Sequence, residues 1–383
     1  MNSRSQARGF PIALISTPGG EPLARVVDEH LKRLFRENGE PCPQTFIRKA
    51  SVARFQNGEG KAVIEETIRG TDLYVITDIG NYGAMYERQG QMVSTSPDEH
   101  FQDVRRLLVA AKNMPQRTNV VMPLLYSSRQ HKMNGRESLD CALALQDLVQ
   151  LNVHSIMTLD AHNSHVMNAI PMHGLENLHA VYQLIRAFLE VTRDEFPIDT
   201  DNLLVCSPDL GGMERARYYA EHFRVLLTGF YKSRDLSRVV NGKNPVLEHK
   251  CLASDSQIKG RNVLVVDDML ASGGSLLEVS RQLKKLGAAK LYFAVTYALF
   301  SEGLESFDEA YEEGLFEYVF ATNGSHLPAE LQSRPWFLSA DVTPFIAKFI
   351  YMFNQDASIT RLLNNTERVN RLVGRERTRR QEP

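Results

Sequence analysis

The sequence predicts an α/β protein with two parallel sheets in tandem, each flanked by helices. Three observations predict it. Short β-rich runs alternate with longer helical patterns, the alternation recurs in each half of the chain, and the buried-looking runs are continuously apolar, as strands covered on both faces must be. A chain of 383 residues, 43% hydrophobic and 23% charged, is long enough for two domain-sized cores.

In the first half, residues 12–16 read as a strand and 23–35 as the helix after it. Residues 73–77, 119–123 and 155–159 are further strands, with a helix at 138–151 between the last two. The second half repeats the pattern, with a strand at 202–206 before a helix at 213–222, then a strand at 225–228. A strand at 263–266 before a helix at 275–286, and a last strand at 290–296, complete it. The implied division is an N-terminal domain at 10–165 completed by a helix at 340–365, a C-terminal domain at 166–335, and a basic flexible tail at 366–383. Between Asp78 and Asp98 the pattern lapses into Gly, Tyr, Gln and Ser, which predicts a long surface loop. The tail, Arg-rich from Val369 onward, has too little apolar surface to offset the entropy of ordering.

A formal net charge of -2 argues against a nucleic-acid partner and for a small-molecule one. Cys42, Cys141, Cys206 and Cys251 are widely spaced, so they predict reduced thiols instead of a zinc site or disulfide framework. With no apolar run of membrane-spanning length and a polar start at Met1 to Arg8, the expectation is a cytoplasmic protein with no membrane partner.

The strongest local signal follows the apolar run 263–266, which ends abruptly in Asp267 and Asp268. Ligands bind at such carboxyl ends in open α/β sheets. Ala271, Ser272, Gly273, Gly274 and Ser275 then open a helix, so backbone N–H groups, the positive helix end and two hydroxyls converge on one point. That composition suits a phosphate, and the glycines allow close backbone approach. The paired acids suit the hydroxyls of a sugar, directly or through a magnesium ion.

This segment resembles the phosphoribosyl-pyrophosphate loop shared by phosphoribosyltransferases and ribose-phosphate pyrophosphokinases. Other segments resemble the pyrophosphokinases in particular. Phe55-Gln-Asn57-Gly-Glu59 followed by Arg69-Gly-Thr-Asp72 is similar to that family's F-x-[DN]-x-E and R-G-x-D stretch, the first part of which contacts adenine from a neighbouring subunit. Residues 123–132 are similar to its P-Y-x-x-Y-A-R-Q-D-[RK] segment, so the resemblance assigns Arg129, Gln130 and Lys132 to ATP; His131 stands where the family has Asp. Asp160-Ala-His162 resembles its D-L-H motif and makes His162 a metal-side candidate. Residues 206–215 resemble V-S-P-D-x-G-G-x-x-R-A, which carries Asp209 over as a metal or ribose-phosphate contact. Lys232 and Arg234 match the K-x-R at the start of the mobile catalytic loop.

The resemblance runs in order from about Ala50 to Tyr297 and implies two phosphoribosyltransferase-like domains. It implies magnesium as cofactor, ATP and ribose 5-phosphate as substrates, and a homo-oligomer with the ATP site at a subunit interface. In that assignment Asp267, Asp268, Ser272, Gly273, Gly274 and Ser275 hold the sugar phosphate, and Lys232 and Arg234 act on the transferring phosphates. The loop departs from the family's D-D-x-x-D-T-G-G-T, because Ala271 replaces the third acid and serines replace both threonines. That keeps two alternatives open: a phosphoribosyltransferase that consumes phosphoribosyl pyrophosphate, and a non-catalytic regulatory homologue.

Overall fold

A computed structural model describes residues 9–133, 135–234 and 246–381. The chain forms two compact units, the first made of residues 1–179, 323–326 and 341–364 and the second of 180–322, 327–340 and 365–383.

Unit 1 opens with strand β1 (Ile12–Ser16) and helix α1 (Glu21–Glu37), continues through an antiparallel hairpin of β2 (Ala50–Arg54) and β3 (Gly60–Ile64), and reaches β4 (Asp72–Ile76). A second hairpin, β5 (Met85–Arg88) with β6 (Gln91–Ser94), precedes α2 (Pro97–Ala111). Then come β7 (Arg117–Val121), α3 (Asp140–Gln150), β8 (Ser155–Leu159) and β9 (Gly174–Leu178). The main sheet is parallel throughout in the order β1-β4-β7-β8-β9, and on the outer side of β1 the chain makes one more parallel bridge, Leu14 to Ile47.

Unit 2 begins with α4 (Val181–Val191), β10 (Leu203–Ser207), α5 (Met213–Phe223), β11 (Leu226–Arg234) and β12 (Val246–Cys251). It continues with α6 (Asp255–Ile258), β13 (Asn262–Leu270), α7 (Gly274–Lys285), β14 (Leu291–Ala298) and α8 (Glu305–Glu312). Last come β15 (Tyr318–Thr322), α9 (Ala329–Gln332) and β16 (Phe337–Ala340). The sheet order is β12-β11-β10-β13-β14-β15-β16, parallel except for the antiparallel β11–β12 pair. The chain then returns to unit 1 with α10 (Thr343–Asn354) and α11 (Thr360–Leu363), and to unit 2 with α12 (Thr366–Gln381).

Both units follow one plan: a first strand, a neighbour on one side of it, then successive strands stacked on the other. In unit 2 the strand β13 carries Val263, Leu264, Val265 and Val266 fully buried, which explains the unbroken apolar run. Below that sheet Trp336 packs among Phe300, Phe307 and Phe316, and its indole N–H donates to Asp308 at 2.8 Å. In unit 1 the amino end of the sheet is tied at the buried Asp72, which accepts from Arg117, Asn119, Tyr74 and Asn354 at 2.8 to 3.0 Å. The Asp of the R-G-x-D stretch is thus a structural anchor for α10.

Three expectations need correction. The boundary between units falls after His179, not at 165, because β9 pairs with β8 in the first sheet. The stretch from Asp78 to Asp98 is not a plain loop: it holds the β5–β6 hairpin and the start of α2, capped by Ser96 and Glu99 in a reciprocal capping box. The basic tail at 366–383 is a helix as far as Gln381, the last described residue. Val369 and Val373 are buried, Arg368 lies over the Tyr182 ring at 3.7 Å, and Arg380 donates to the carbonyls of Phe196 at 2.6 Å and Leu189 at 3.1 Å. Arg377 donates to the carbonyls of Ile198 and Phe223. The Leu189 and Phe223 carbonyls lie at the carboxyl ends of α4 and α5, which the helices themselves leave unsatisfied, and those of Phe196 and Ile198 lie in the connection after α4.

Candidate active site

In unit 2 the chain leaves β10 for β11 on one side and comes back to β13 on the other. The carboxyl ends of β10 and β13 therefore diverge and open a crevice, the position at which α/β sheets bind ligands. From β10 comes the turn to α5, in which Ser207 Oγ donates to the Asp209 carbonyl at 2.7 Å and the Gly212 amide donates to Asp209 Oδ1 at 3.1 Å. A Cβ on Gly212 would lie 2.7 Å from Ser207 Oγ and 3.8 Å from Asp267 Oδ1, so this backbone borders the acid pair directly. Asp209 is brought to the crevice rim with one carboxylate oxygen already engaged in the turn.

From β13 come Asp267 and Asp268, which lie inside the strand and not after it. Arg215, in the first turns of α5, places Nη1 at 3.4 Å from Asp268 Oδ1 and 3.8 Å from Asp267 Oδ1. Asp267 keeps a quarter of its side-chain surface yet is densely surrounded by protein. Desolvation, reinforced by the neighbouring Asp268 charge, holds its pKa well above the usual carboxylate range, with Arg215 opposing the shift. Among the described residues both acids face the Arg215 guanidinium.

The turn after β13 runs through Gly273, whose φ of +80° is left-handed, into α7. Among the described residues no side chain caps that helix start and no acid occupies its first turn, the setting in which helix N-termini hold anions. Gly274 has open space where a Cβ would be, Ser275 is exposed, and Ser272 is half-buried. Acids, loop amides and hydroxyls thus line one carboxyl-end crevice.

Lys232 and Arg234 lie near the end of β11, which runs on to Arg234 instead of ending near 228. Lys232 pairs with His249 and Arg234 with Val246, with a register shift between Ser233 and Arg234. The side chains of both cations, and residues 235–245 of the expected catalytic loop, lie outside the described residues.

In unit 1 the candidates come from adjacent strand ends. Arg129, Gln130 and Lys132 are exposed on the segment after β7, with His131 half-buried among them; His162 is exposed just after β8. The imidazoles of His131 and His162 lie with ring centroids 5.4 Å apart. Burial and the nearby His162 lower the His131 pKa. Asp160 sits at φ +45° and bonds His179 Nδ1 at 2.8 Å, so the acid beside His162 is committed locally. Phe55, Asn57 and Glu59 form the tip between β2 and β3: Phe55 is 55% exposed, while Asn57 Nδ2 donates to Glu59 at 2.9 Å.

The unit 1 crevice between β1 and β4 is filled. Thr17 Oγ1 donates to Thr77 at 3.0 Å, Asn81 Nδ2 donates to the Gly19 carbonyl at 2.8 Å, and the fully buried His100 reaches the Asn81 carbonyl at 2.9 Å. A Cβ on Gly19 would lie 2.4 Å from His100 Cε1. The open crevice with its acid pair belongs to unit 2.

Fold and site together define a phosphoribosyltransferase-type α/β protein in which this architecture occurs twice. Residues 12–151 match the family described as the N-terminal domain of ribose phosphate pyrophosphokinase, and residues 173–334 match the phosphoribosyl transferase domain. A ribose-phosphate pyrophosphokinase from Synechococcus elongatus is 24% identical over 90% of this chain and 97% of its own length. One from Staphylococcus saprophyticus is 25% identical over 84% of this chain and 88% of its own. The solved phosphoribosylpyrophosphate synthetase of Mycobacterium smegmatis superposes with a TM-score of 0.71 at 19% identity, covering 90% of this chain and 99% of its own. The chain belongs to the ribose-phosphate pyrophosphokinase family.

Two residues of this arrangement were not among the sequence candidates. Arg215 was visible only as the arginine of a motif, and its role depends on the β10 and β13 ends meeting. His131 stood out as a departure, and only the packing of adjacent strand ends puts it beside His162.

Proposed function

We infer that the protein is a ribose-phosphate diphosphokinase: the anomeric hydroxyl of ribose 5-phosphate attacks the β-phosphorus of ATP, AMP leaves, and phosphoribosyl pyrophosphate forms. The observation that carries this reading is the tandem of the two matched domains across residues 12–151 and 173–334, since the sugar-phosphate crevice alone would serve a phosphoribosyltransferase equally well.

In this reading Asp267 and Asp268 accept from the ribose hydroxyls while the loop from Ser272 to Ser275 and the start of α7 take the 5-phosphate. Arg129, Gln130 and Lys132 hold ATP, with Arg129 suited to paired donation to phosphate oxygens. Phe55, Asn57 and Glu59 contact adenine across an interface between copies in a homo-oligomer. Lys232 and Arg234 neutralise the charge that develops on the transferring phosphoryl oxygens. The carboxylates of Asp267 and Asp268, with Asp209 on the same crevice, are oxygen donors of the kind a divalent ion prefers, and His162 serves on the ATP side. Magnesium there would offset phosphate charge and orient the oxygens. All four cysteines are free, and among the described residues no helix is long and apolar enough to cross a membrane, which accords with work in the cytoplasm.

The test is to incubate purified protein with ribose 5-phosphate and MgATP and follow AMP. Equimolar AMP and phosphoribosyl pyrophosphate are expected. Pyrophosphate released from phosphoribosyl pyrophosphate and a base, with no AMP, would favour the transferase instead. Lys232→Ala is expected to lower kcat by about 100- to 1,000-fold, and near-wild-type turnover would remove Lys232 from the mechanism.

A further inference from the structure

We propose that the exposed arginine face of α12 docks on the exposed acidic face of α8 in a second copy of this chain. The two helices carry opposite charge with little mixing. α12 holds six arginines against two glutamates and no lysine. The stretch from Leu291 to Ser325, which includes α8, holds seven acids and no Lys, Arg or His.

Each charge is sorted onto one side of its helix. Arg368, Arg371, Arg375 and Arg379 recur at steps of three and four, so they share an arc of about 80° on α12, and all four are exposed. Val369 and Val373, on the other side, are buried. On α8, Glu305, Glu309 and Glu312 share an arc of about 60° and are exposed, while Phe307 and Ala310 are buried. The steps of four and three along these glutamates are those met going backwards along α12 through Arg375, Arg371 and Arg368. An antiparallel approach therefore brings three opposite charges level at once. Arginine at every position of the stripe suits paired donation to carboxylates.

Neither stripe is neutralised inside its own chain. Among the described residues the four arginines form no ion pair; Arg368 lies over the Tyr182 ring and Arg371 donates to the Glu367 carbonyl. Acids on the helices beneath have closer partners, Glu190 in Arg186 on α4 and Glu221 in Arg217 on α5. On α8 the acid that is paired is Asp308, with Arg334, and it lies off the stripe.

The two stripes also face away from each other. Tyr292 and Phe293 are neighbours on β14 and so point to opposite faces of the unit 2 sheet. The Tyr292 ring meets Phe188 of α4 at 5.4 Å, whereas Phe293 meets Phe316 at 5.2 Å, which packs on Phe307 of α8. α12 lies over α4 and α5, so α12 and α8 are on opposite sides of that sheet. One chain cannot join them, but two copies can, and the contact is head-to-tail, each added copy presenting a fresh stripe. A nucleic acid or an anionic lipid would use the arginines alone; the matched steps on two helices select a second copy. Because both helices belong to unit 2, this surface is separate from the unit 1 tip at Phe55, and it does not depend on the diphosphokinase reading.

Exposed charge pairs are individually weak and screened by salt, so the contact takes several pairs together and is salt-sensitive. The experiment measures the weight-average mass of nuclease-treated, untagged full-length protein by sedimentation across a concentration series, at low salt and at about 1 M salt, where the Debye length is about 3 Å. At low salt wild type is expected to reach at least about twice its high-salt mass. Arg371→Glu with Arg375→Glu, and separately Glu305→Arg with Glu309→Arg, should each abolish the rise. An equimolar mixture of the two variants should restore it, because the reversed charges meet at the same levels. Circular dichroism and the high-salt mass should match wild type for both variants, which separates lost docking from lost folding. A mass that ignores salt, a rise lost in the α12 variant but kept in the α8 variant, or a mixture that stays at its high-salt mass would overturn the contact. A rise present only before nuclease treatment would also overturn it and would identify a nucleic acid as the occupant of α12.

Discussion

At Gly273 the backbone takes a φ of +80°, and a Cβ there would sit 2.2 Å from Phe307 Cε2 in the core. Neither the left-handed turn nor the ring accommodates a methyl group. Gly273→Ala should destabilise unit 2 by about 2–5 kcal/mol and weaken ribose 5-phosphate binding, read as a lower urea midpoint and a higher KM for the sugar. Gly274, with open space around it, is a control in which Ala leaves the midpoint nearly unchanged.

Asp78 poses a different question, because it is buried with no cation paired to it among the described residues. It accepts from Ser325 Oγ at 2.7 Å, the His326 amide at 2.7 Å and the Gly80 amide at 3.0 Å, but burial outweighs these bonds and pushes its pKa up to about 6. The folded state therefore holds this proton more tightly than the unfolded chain, whose Asp titrates near 3.8. The contribution is fully present below about pH 4 and is lost as pH rises through about 6. Between those values wild type should lose up to about 3 kcal/mol relative to Asp78→Asn, measured by urea unfolding at each pH. A pH-independent difference would mean that Asp78 is ionised throughout.

At the scale of elements, α12 shows how a segment of poor intrinsic ordering is held by what it touches. Its valines bury into unit 2, and Arg377 and Arg380 satisfy carbonyls around the ends of α4 and α5. The double substitution Arg377→Ala, Arg380→Ala should destabilise unit 2 by about 2–4 kcal/mol in urea unfolding, since hydrogen bonds with charged donors are the stronger kind. The β5–β6 hairpin is held in the same manner. Tyr86 hydrogen-bonds to Glu99 at the start of α2, and Arg54, paired with Asp103 at 2.6 Å, lies over the Tyr86 ring at 5.1 Å. Gly58 at the β2–β3 tip has Arg88 and Tyr86 within 3.5 Å of its missing Cβ, so the second hairpin braces the tip that carries Phe55.

At the scale of the molecule, the chain order and the spatial division disagree. Residues 341–364 return to unit 1, where Phe345, Ile346, Phe349 and Ile350 on α10 are buried and the helix packs on α1. Four such side chains are worth roughly 6–12 kcal/mol, comparable to the whole stability of a domain. A fragment of residues 9–179 should therefore show no cooperative unfolding by circular dichroism, and the same fragment joined to 341–364 should regain it. A cooperative transition in the shorter fragment would show that α10 is dispensable.

The sequence by itself determined the class of fold and the place of the acid-and-glycine crevice in unit 2. Both rest on local signals: the apolar run into Asp267 and Asp268, and the glycines and serines that open α7. The same local chemistry was present but unread at Ser96-Pro97-Asp98-Glu99, a capping box that announces α2. Tertiary structure alone decided the rest. Whether Arg215 reaches Asp268, whether Arg380 finds a carbonyl and whether His131 faces His162 depend on residues 53, 184 to 191 and 31 positions apart. Such separations leave no periodicity for a sequence pattern to carry, because sheet order, not chain order, sets which strand ends become neighbours.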